Sequence, residues 1–234
     1  MDNDRLDIDR VVFVGRTLSE YKEFLDLDIE SLKGSKVLDC PSGPSSFVAE
    51  ANRMGIRAVG CDSSYDLPLK QLVNKGLKDI SHVMERLSEK THLFKWDYYS
   101  SVEDVKESRT RALKLFEEDF QIGLEEQRYV KASLPILPFP DRSFELVISA
   151  HFLFIYDDKL DYEFHLNSIL ELNRVCSSEV RIYPLQSMNA RIYPYMDRLI
   201  NDLKQTGFEA SIVEVGFEFL RGSNFMLRIK HAIL

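Results

Sequence analysis

Two short apolar runs each end on a carboxylate. Asp39 closes VLD (37–39) and Asp62, 23 residues later, closes AVGCD (58–62). A buried strand that stops on an acid places a charge at its carboxyl end, where open α/β sheets bind their ligands. Directly after Asp39 the chain reads CPSGPSS (40–46), a turn whose single glycine, Gly43, lacks a Cβ and lets backbone come close to a bound molecule. A helix starting just beyond it offers free N–H groups. A carboxylate placed like Asp62 can accept both hydroxyls of a ribose, and it can equally serve as a helix N-cap. His151 follows the run ELVIS (145–149). An imidazole at a strand end can take a proton near neutral pH, although a hydrogen-bonded core histidine reads the same way. Together these residues outline a pocket for a nucleoside-type ligand.

Those side chains must be positioned by strands and helices in alternation. Strand, turn, helix (45–55) and strand within 30 residues form a βαβ unit, hence a parallel sheet. A helix is expected over 17–30, and strands over 128–133, 144–154 and 179–185. Further helices are expected over 163–175 and 193–207. Two last strands, 209–219 and 224–233, read as an antiparallel hairpin at the sheet edge. Residues 66–128 are too long for a simple crossover. Their charged helical patterns and the aromatic stretch HLFKWDYY (92–99) suggest a helical insertion, read either as a lid or as a stabilising extension. The fold expected is a single doubly wound α/β domain over 1–234, with a mostly parallel seven-stranded sheet.

Composition narrows the function. With 234 residues and a net charge of −8, the surface would repel a nucleic-acid backbone, so no nucleic-acid partner is expected. Three cysteines without CxxC spacing fit neither a disulfide framework nor a zinc site, so no metal is expected. The acidic start MDNDRLDIDR is unlike a signal peptide, and no apolar run approaches the roughly 20 residues that span a bilayer. A cytoplasmic protein with no membrane partner is the expectation; the oligomeric state is not legible.

The stretches VLDCPSGPS, AVGCD and LPFPDRSFELVIS (137–149), with the final hairpin, resemble class I S-adenosylmethionine (SAM)-dependent methyltransferases over about residues 35–230. The resemblance implies SAM as cofactor and S-adenosylhomocysteine as product. It puts Asp39, Pro41, Ser42 and Gly43 at the methionine end, Asp62 and Ser63 at the ribose, and Ser133 and Leu134 at the adenine. Ser149 and His151 would face the reactive methyl, with His151 the candidate general base. The family's turn carries three alternate glycines, whereas this one has Pro41, Gly43 and Ser45. A Pro-Pro-aromatic turn is missing after the fourth strand, and with the acidic charge this favours a small-molecule acceptor. Tyr98, Tyr99, Trp96 and Tyr156 could wall the pocket, and His165 and Tyr183 are further candidates. Arg16 and Tyr21 could fold over it as a flap. A non-catalytic SAM- or nucleoside-binding regulatory module is the alternative. An NAD-dependent oxidoreductase needs a GxGxxG turn that PSGPSS does not supply.

Overall fold

In the computed structural model, residues 5, 6 and 8–231 are described; the end of the expected last strand, 232–233, lies outside them. Seven strands form one sheet: β1 (Lys36–Asp39), β2 (Arg57–Asp62), β3 (Tyr129–Lys131), β4 (Phe144–Ala150), β5 (Cys176–Tyr183), β6 (Phe208–Glu214) and β7 (Phe225–His231). Their order is β3-β2-β1-β4-β5-β7-β6. β7 pairs antiparallel with both β5 and β6, while the other pairings are parallel. The order reverses between β1 and β4, which puts the switch point and its crevice at the carboxyl ends of β1, β2 and β4.

Helices cover both faces, which is why the central strands read as unbroken apolar runs. On one face, α1 (Leu18–Phe24), α2 (Phe47–Arg53), α3 (Leu69–Glu89) and α4 (Val102–Glu125) bury Phe24, Phe47, Leu72 and Phe116 against the side of β1 that carries Val37. On the other, α5 (Tyr162–Val175) and α6 (Met196–Gln205) bury Leu172 and Leu199 against the side that carries Leu38.

Several elements stop earlier than their patterns suggest. α1 ends at Phe24, and Asp26 has φ 50°. β4 ends at Ala150 rather than running to 154, because His151 turns into the left-handed region at φ 55°. The apolar residues beyond it form a short 3₁₀ turn, Phe154–Tyr156. α2 starts without a serine side-chain cap: Ser45 bonds to Asp39 and Ser46 to Glu50.

The insertion between β2 and β3 is the α3–α4 hairpin. Its helices lie close enough that a Cβ on Gly76 would meet Leu113 at 2.8 Å. α4 packs on α2 and feeds Phe116 and Phe120 into the core, so this half of the insertion is part of the main body. The aromatic stretch is fastened to the β6–β7 loop, with Lys95 N–H donating to the Phe219 carbonyl at 2.7 Å and Arg221 N–H to that of Leu93 at 2.9 Å.

Candidate functional site

The turn after β1 is held from three directions. Cys40 N–H donates to the Ile148 carbonyl of β4, and Ser42 N–H to the Cys61 carbonyl of β2, both at 2.9 Å. Gly43, at φ 53°, donates its N–H to Asp62 Oδ2 at 3.1 Å and accepts from the Tyr65 hydroxyl at 2.6 Å. Asp62 Oδ1 accepts from Ser64 N–H at 2.9 Å. Each oxygen of Asp62 thus accepts from one backbone N–H, and the residue borders the cleft with 9% of it exposed. Burial raises its pKa above the ordinary carboxylate value, with the Ser64 and Gly43 donors opposing.

An extended strap, residues 11–16, crosses the carboxyl edge of the sheet over this turn. Gly15 makes the crossing possible: a Cβ there would meet the Pro44 carbonyl oxygen at 2.0 Å. Asp79 of α3 latches the strap, accepting from Phe13 N–H and Arg10 Nη2 at 2.8 Å each and from Lys75 Nζ at 2.9 Å. Val12 N–H donates to the Tyr156 hydroxyl at 3.1 Å, and Ser46 N–H to the Arg16 carbonyl at 3.0 Å.

Under the strap lie two adjoining cavities. The first, about 260 Å³, is bounded by the turn at Cys40–Gly43, by Asp62–Ser64 and Ala132–Leu134, and by His151. The second, about 110 Å³, is mostly apolar and is enclosed by α3, Phe94 and the β6–β7 loop. Val12, Val14, Arg16, His151 and Tyr156 line both.

Pro41, Ser42, Gly43, Asp62, Ser63, Ser133, Leu134 and His151 therefore come together, although they derive from four separate chain segments. Two expected residues are not in this group. Asp39 sits behind the turn, fully buried, with Oδ2 accepting from the hydroxyls of Tyr21 (3.0 Å), Ser42 (2.7 Å) and Ser45 (3.1 Å), while Oδ1 has no partner among the described residues. Burial pushes its pKa up to about 7 against the lowering effect of those hydroxyls. Ser149 is buried with its hydroxyl unpartnered. Leu146, Ile148 and Ala150 face α1–α4, so strand alternation turns Ser149 to the opposite face.

His151 and His165 differ in commitment. Both ring nitrogens of His165 reach backbone carbonyls, Nδ1 at 2.6 Å to Asp161 and Nε2 at 3.0 Å to Leu153, which marks a structural histidine. His151 has its Nδ1 buried without a partner, and its ring lies edge-on to Phe24 and Tyr183. Burial, reinforced by the charges of Arg16 and Arg109, holds its pKa well below the usual histidine value, so the ring is neutral at pH 7.

The aromatic stretch contributes Phe94 to the second cavity, while Trp96 packs on Phe219 and Tyr98 on Phe217. Tyr99 donates to Glu20, which is also paired with Arg109 and lies 3.9 Å from Arg16. Burial would raise the Glu20 carboxyl, but the two arginines hold it down to about 2. The Glu20–Arg109 pair and the Asp79 latch lie outside the sequence expectation, whereas Arg16 and Tyr21, expected as a flap, both line the first cavity, Arg16 at the end of the strap. VVFV (11–14) is a continuous apolar run, and only the glycine after it hints at a close crossing.

No protein-family model matches the chain. It is 32% identical over 226 residues to the uncharacterized protein MJ0045 of Methanocaldococcus jannaschii, across 96% of this chain and 98% of that protein. Among solved structures, the PH0226 protein from Pyrococcus horikoshii OT3 superposes with a TM-score of 0.50 at 13% identity, over 91% of this chain and 90% of that one. A SAM-dependent methyltransferase from Aquifex aeolicus gives 0.45 at 16% identity, over 92% and 93%. Magnesium protoporphyrin IX methyltransferase from Synechocystis PCC 6803, solved with SAM bound, gives 0.49 at 13%, over 92% and 78%. Among the described residues, no helix is long and apolar enough to cross a membrane.

Proposed function

The chain belongs to the same family as that archaeal protein and has the class I methyltransferase fold, and from this we propose that it transfers a methyl group from SAM to a small molecule. The observation that carries the reading is the meeting of two cavities at His151, one with a ribose-competent carboxylate and one apolar.

The first cavity fits the donor in its chemistry. Asp62 keeps lone pairs for two ribose hydroxyls, and the space over Gly43 is open, since a Cβ there would meet only Phe13 at 3.9 Å. Ser133 and Leu134 would flank the adenine. Pro41, Ser42 and Gly43 would hold the methionine end. Asp39 acts from behind, orienting the turn through Ser42 and Ser45. When bound, SAM supplies a methyl already activated on a sulfonium, so alignment and exclusion of water are what the protein must add. The strap over the cavity would keep water from the bound donor, and the neutral His151 can accept the proton released by a hydroxyl or ammonium acceptor.

His151→Asn tests this. Turnover should fall about 10²- to 10⁴-fold with S-adenosylhomocysteine affinity nearly unchanged. Because the ring titrates well below its usual value, the wild-type rate should hold steady as pH falls past about 6.5, the ordinary histidine pKa. An acid limb centred there, or a variant with near-normal turnover, would remove His151 from the chemistry. Calorimetry showing no binding of SAM or S-adenosylhomocysteine would remove the donor itself.

A further inference from the structure

We infer, resting on the methyltransferase reading, that the second cavity receives an apolar molecule about one ring in size, bearing an acidic hydroxyl of the phenol or enol type, as the methyl acceptor. Its walls are Val83, Met84 and Leu87 of α3, with Phe94, Phe217 and Leu220. Its volume, about 110 Å³, is below the roughly 150 Å³ of an apolar cavity that binds benzene, so it takes at most one ring, whose polar end would lie toward the adjoining first cavity at His151. A long, branched or highly polar acceptor has no room or partners there.

The charges select the functional group. Arg16 and Arg109 both line this cavity, and among the described residues Glu20 is the one carboxylate paired with them. One positive charge is left uncompensated beside His151. Arg16 uses Nη1 on the carbonyls of Val14 and Gly15, which leaves Nη2 without an acceptor among the described residues. Such a wall repels an ammonium group and favours an oxygen that becomes anionic as it reacts. In the transfer, the acceptor oxygen forms a bond to the methyl carbon and its proton passes to the His151 imidazole. The carbon–sulfur electron pair stays on sulfur, so the sulfonium donor would end as a neutral thioether, and the imidazolium, disfavoured beside the arginines, would pass its proton on to water.

The test is titration calorimetry on the full chain, first with S-adenosylhomocysteine, then on that complex with p-cresol, toluene and benzylamine. The expected result is p-cresol binding at least about tenfold tighter than either of the others, the difference one charge-assisted hydrogen bond makes. Leu220→Trp, which fills the cavity from the β6–β7 loop, should abolish p-cresol binding and leave S-adenosylhomocysteine bound. Val83→Trp does the same from α3 and decides the matter if the first variant fails to fold. Bound S-adenosylhomocysteine with no p-cresol binding, with benzylamine or toluene binding equally well, or with p-cresol unaffected by the filling variants overturns this inference alone. Failure of the parent protein to bind S-adenosylhomocysteine overturns the donor reading, and this inference with it.

Discussion

Two carboxylates lie fully covered on the same side of the sheet, and their surroundings treat them in opposite ways. Glu20 faces Arg109 and Arg16 and stays ionised, with its pKa held down to about 2. Asp39 faces three hydroxyls, and burial lifts its pKa to about 7. The first cluster joins α1 to α4 and fixes the insertion to the body. The second arranges the turn beneath the first cavity. The difference teaches that hydroxyls can orient a buried acid but do not repay its desolvation as a cation does.

The largest break in this comparison is Glu20→Gln. It leaves Arg109 covered without a counter-charge, and chemical denaturation should show a loss of about 3–5 kcal/mol. Replacing both partners with apolar residues, as in Glu20→Leu with Arg109→Met, should recover only part of that loss, since Arg16 and Tyr99 still lose Glu20.

Acid and base titrations of stability should separate the two carboxylates by sign. Glu20 has a folded pKa below its ordinary 4.5, so its contribution is present above that value and is lost as pH falls through about 2. Asp39 has a folded pKa above its ordinary 3.8, so its contribution is complete below 3.8 and is lost as pH rises through about 7. The swings are on the order of 3–4 kcal/mol for Glu20 and 4–5 kcal/mol for Asp39 at about 1.4 kcal/mol per pKa unit. Asp39→Asn should abolish the loss between pH 4 and 7 while leaving the acid loss intact; melting curves that keep the neutral-range slope would disprove the assignment.

Asp62 is a third carboxylate, open to the cleft, and it sharpens the contrast. Asp62→Ala should weaken S-adenosylhomocysteine binding by about 1–3 kcal/mol in calorimetry, with a smaller effect on folding than Glu20→Gln. Unchanged affinity in a folded variant would exclude a ribose contact. The smallest effect belongs to Tyr21→Phe. Removing one of three donors to Asp39 should cost about 1 kcal/mol and move its titration higher, which carbon-detected NMR of the carboxylate can follow.

Much of this architecture could be read from the residue pattern. β1, β2 and the acids that end them stand out because parallel strands covered on both faces are short continuous apolar runs. The final hairpin and the helical insertion were legible for similar reasons of period and length. The end of β4 was not, since nothing local to AHFLF announces that His151 leaves the strand with φ 55°. The resemblance puts Asp39 and Ser149 on the ligand side, yet direction depends on alternation and on partners elsewhere in the fold. Arg109 lies 89 residues from Glu20, a separation that no sequence period encodes. A flap was expected at Arg16 and Tyr21, but nothing in the apolar run VVFV before them announces that it crosses the sheet edge without joining a strand among the described residues.

That strap also carries a kinetic consequence. Val12, Val14 and Arg16 form a roof common to both chambers. Traffic in either chamber then depends on one gate, whose bolt is Asp79 with its two cations, Arg10 and Lys75. Both cations reach solvent, so salt should loosen the bolt and shorten residence times for either ligand together. Stopped-flow release of S-adenosylhomocysteine should quicken with ionic strength, and Asp79→Asn should give the fast rate at low salt; a release rate indifferent to both would mean the ligand exits by another door.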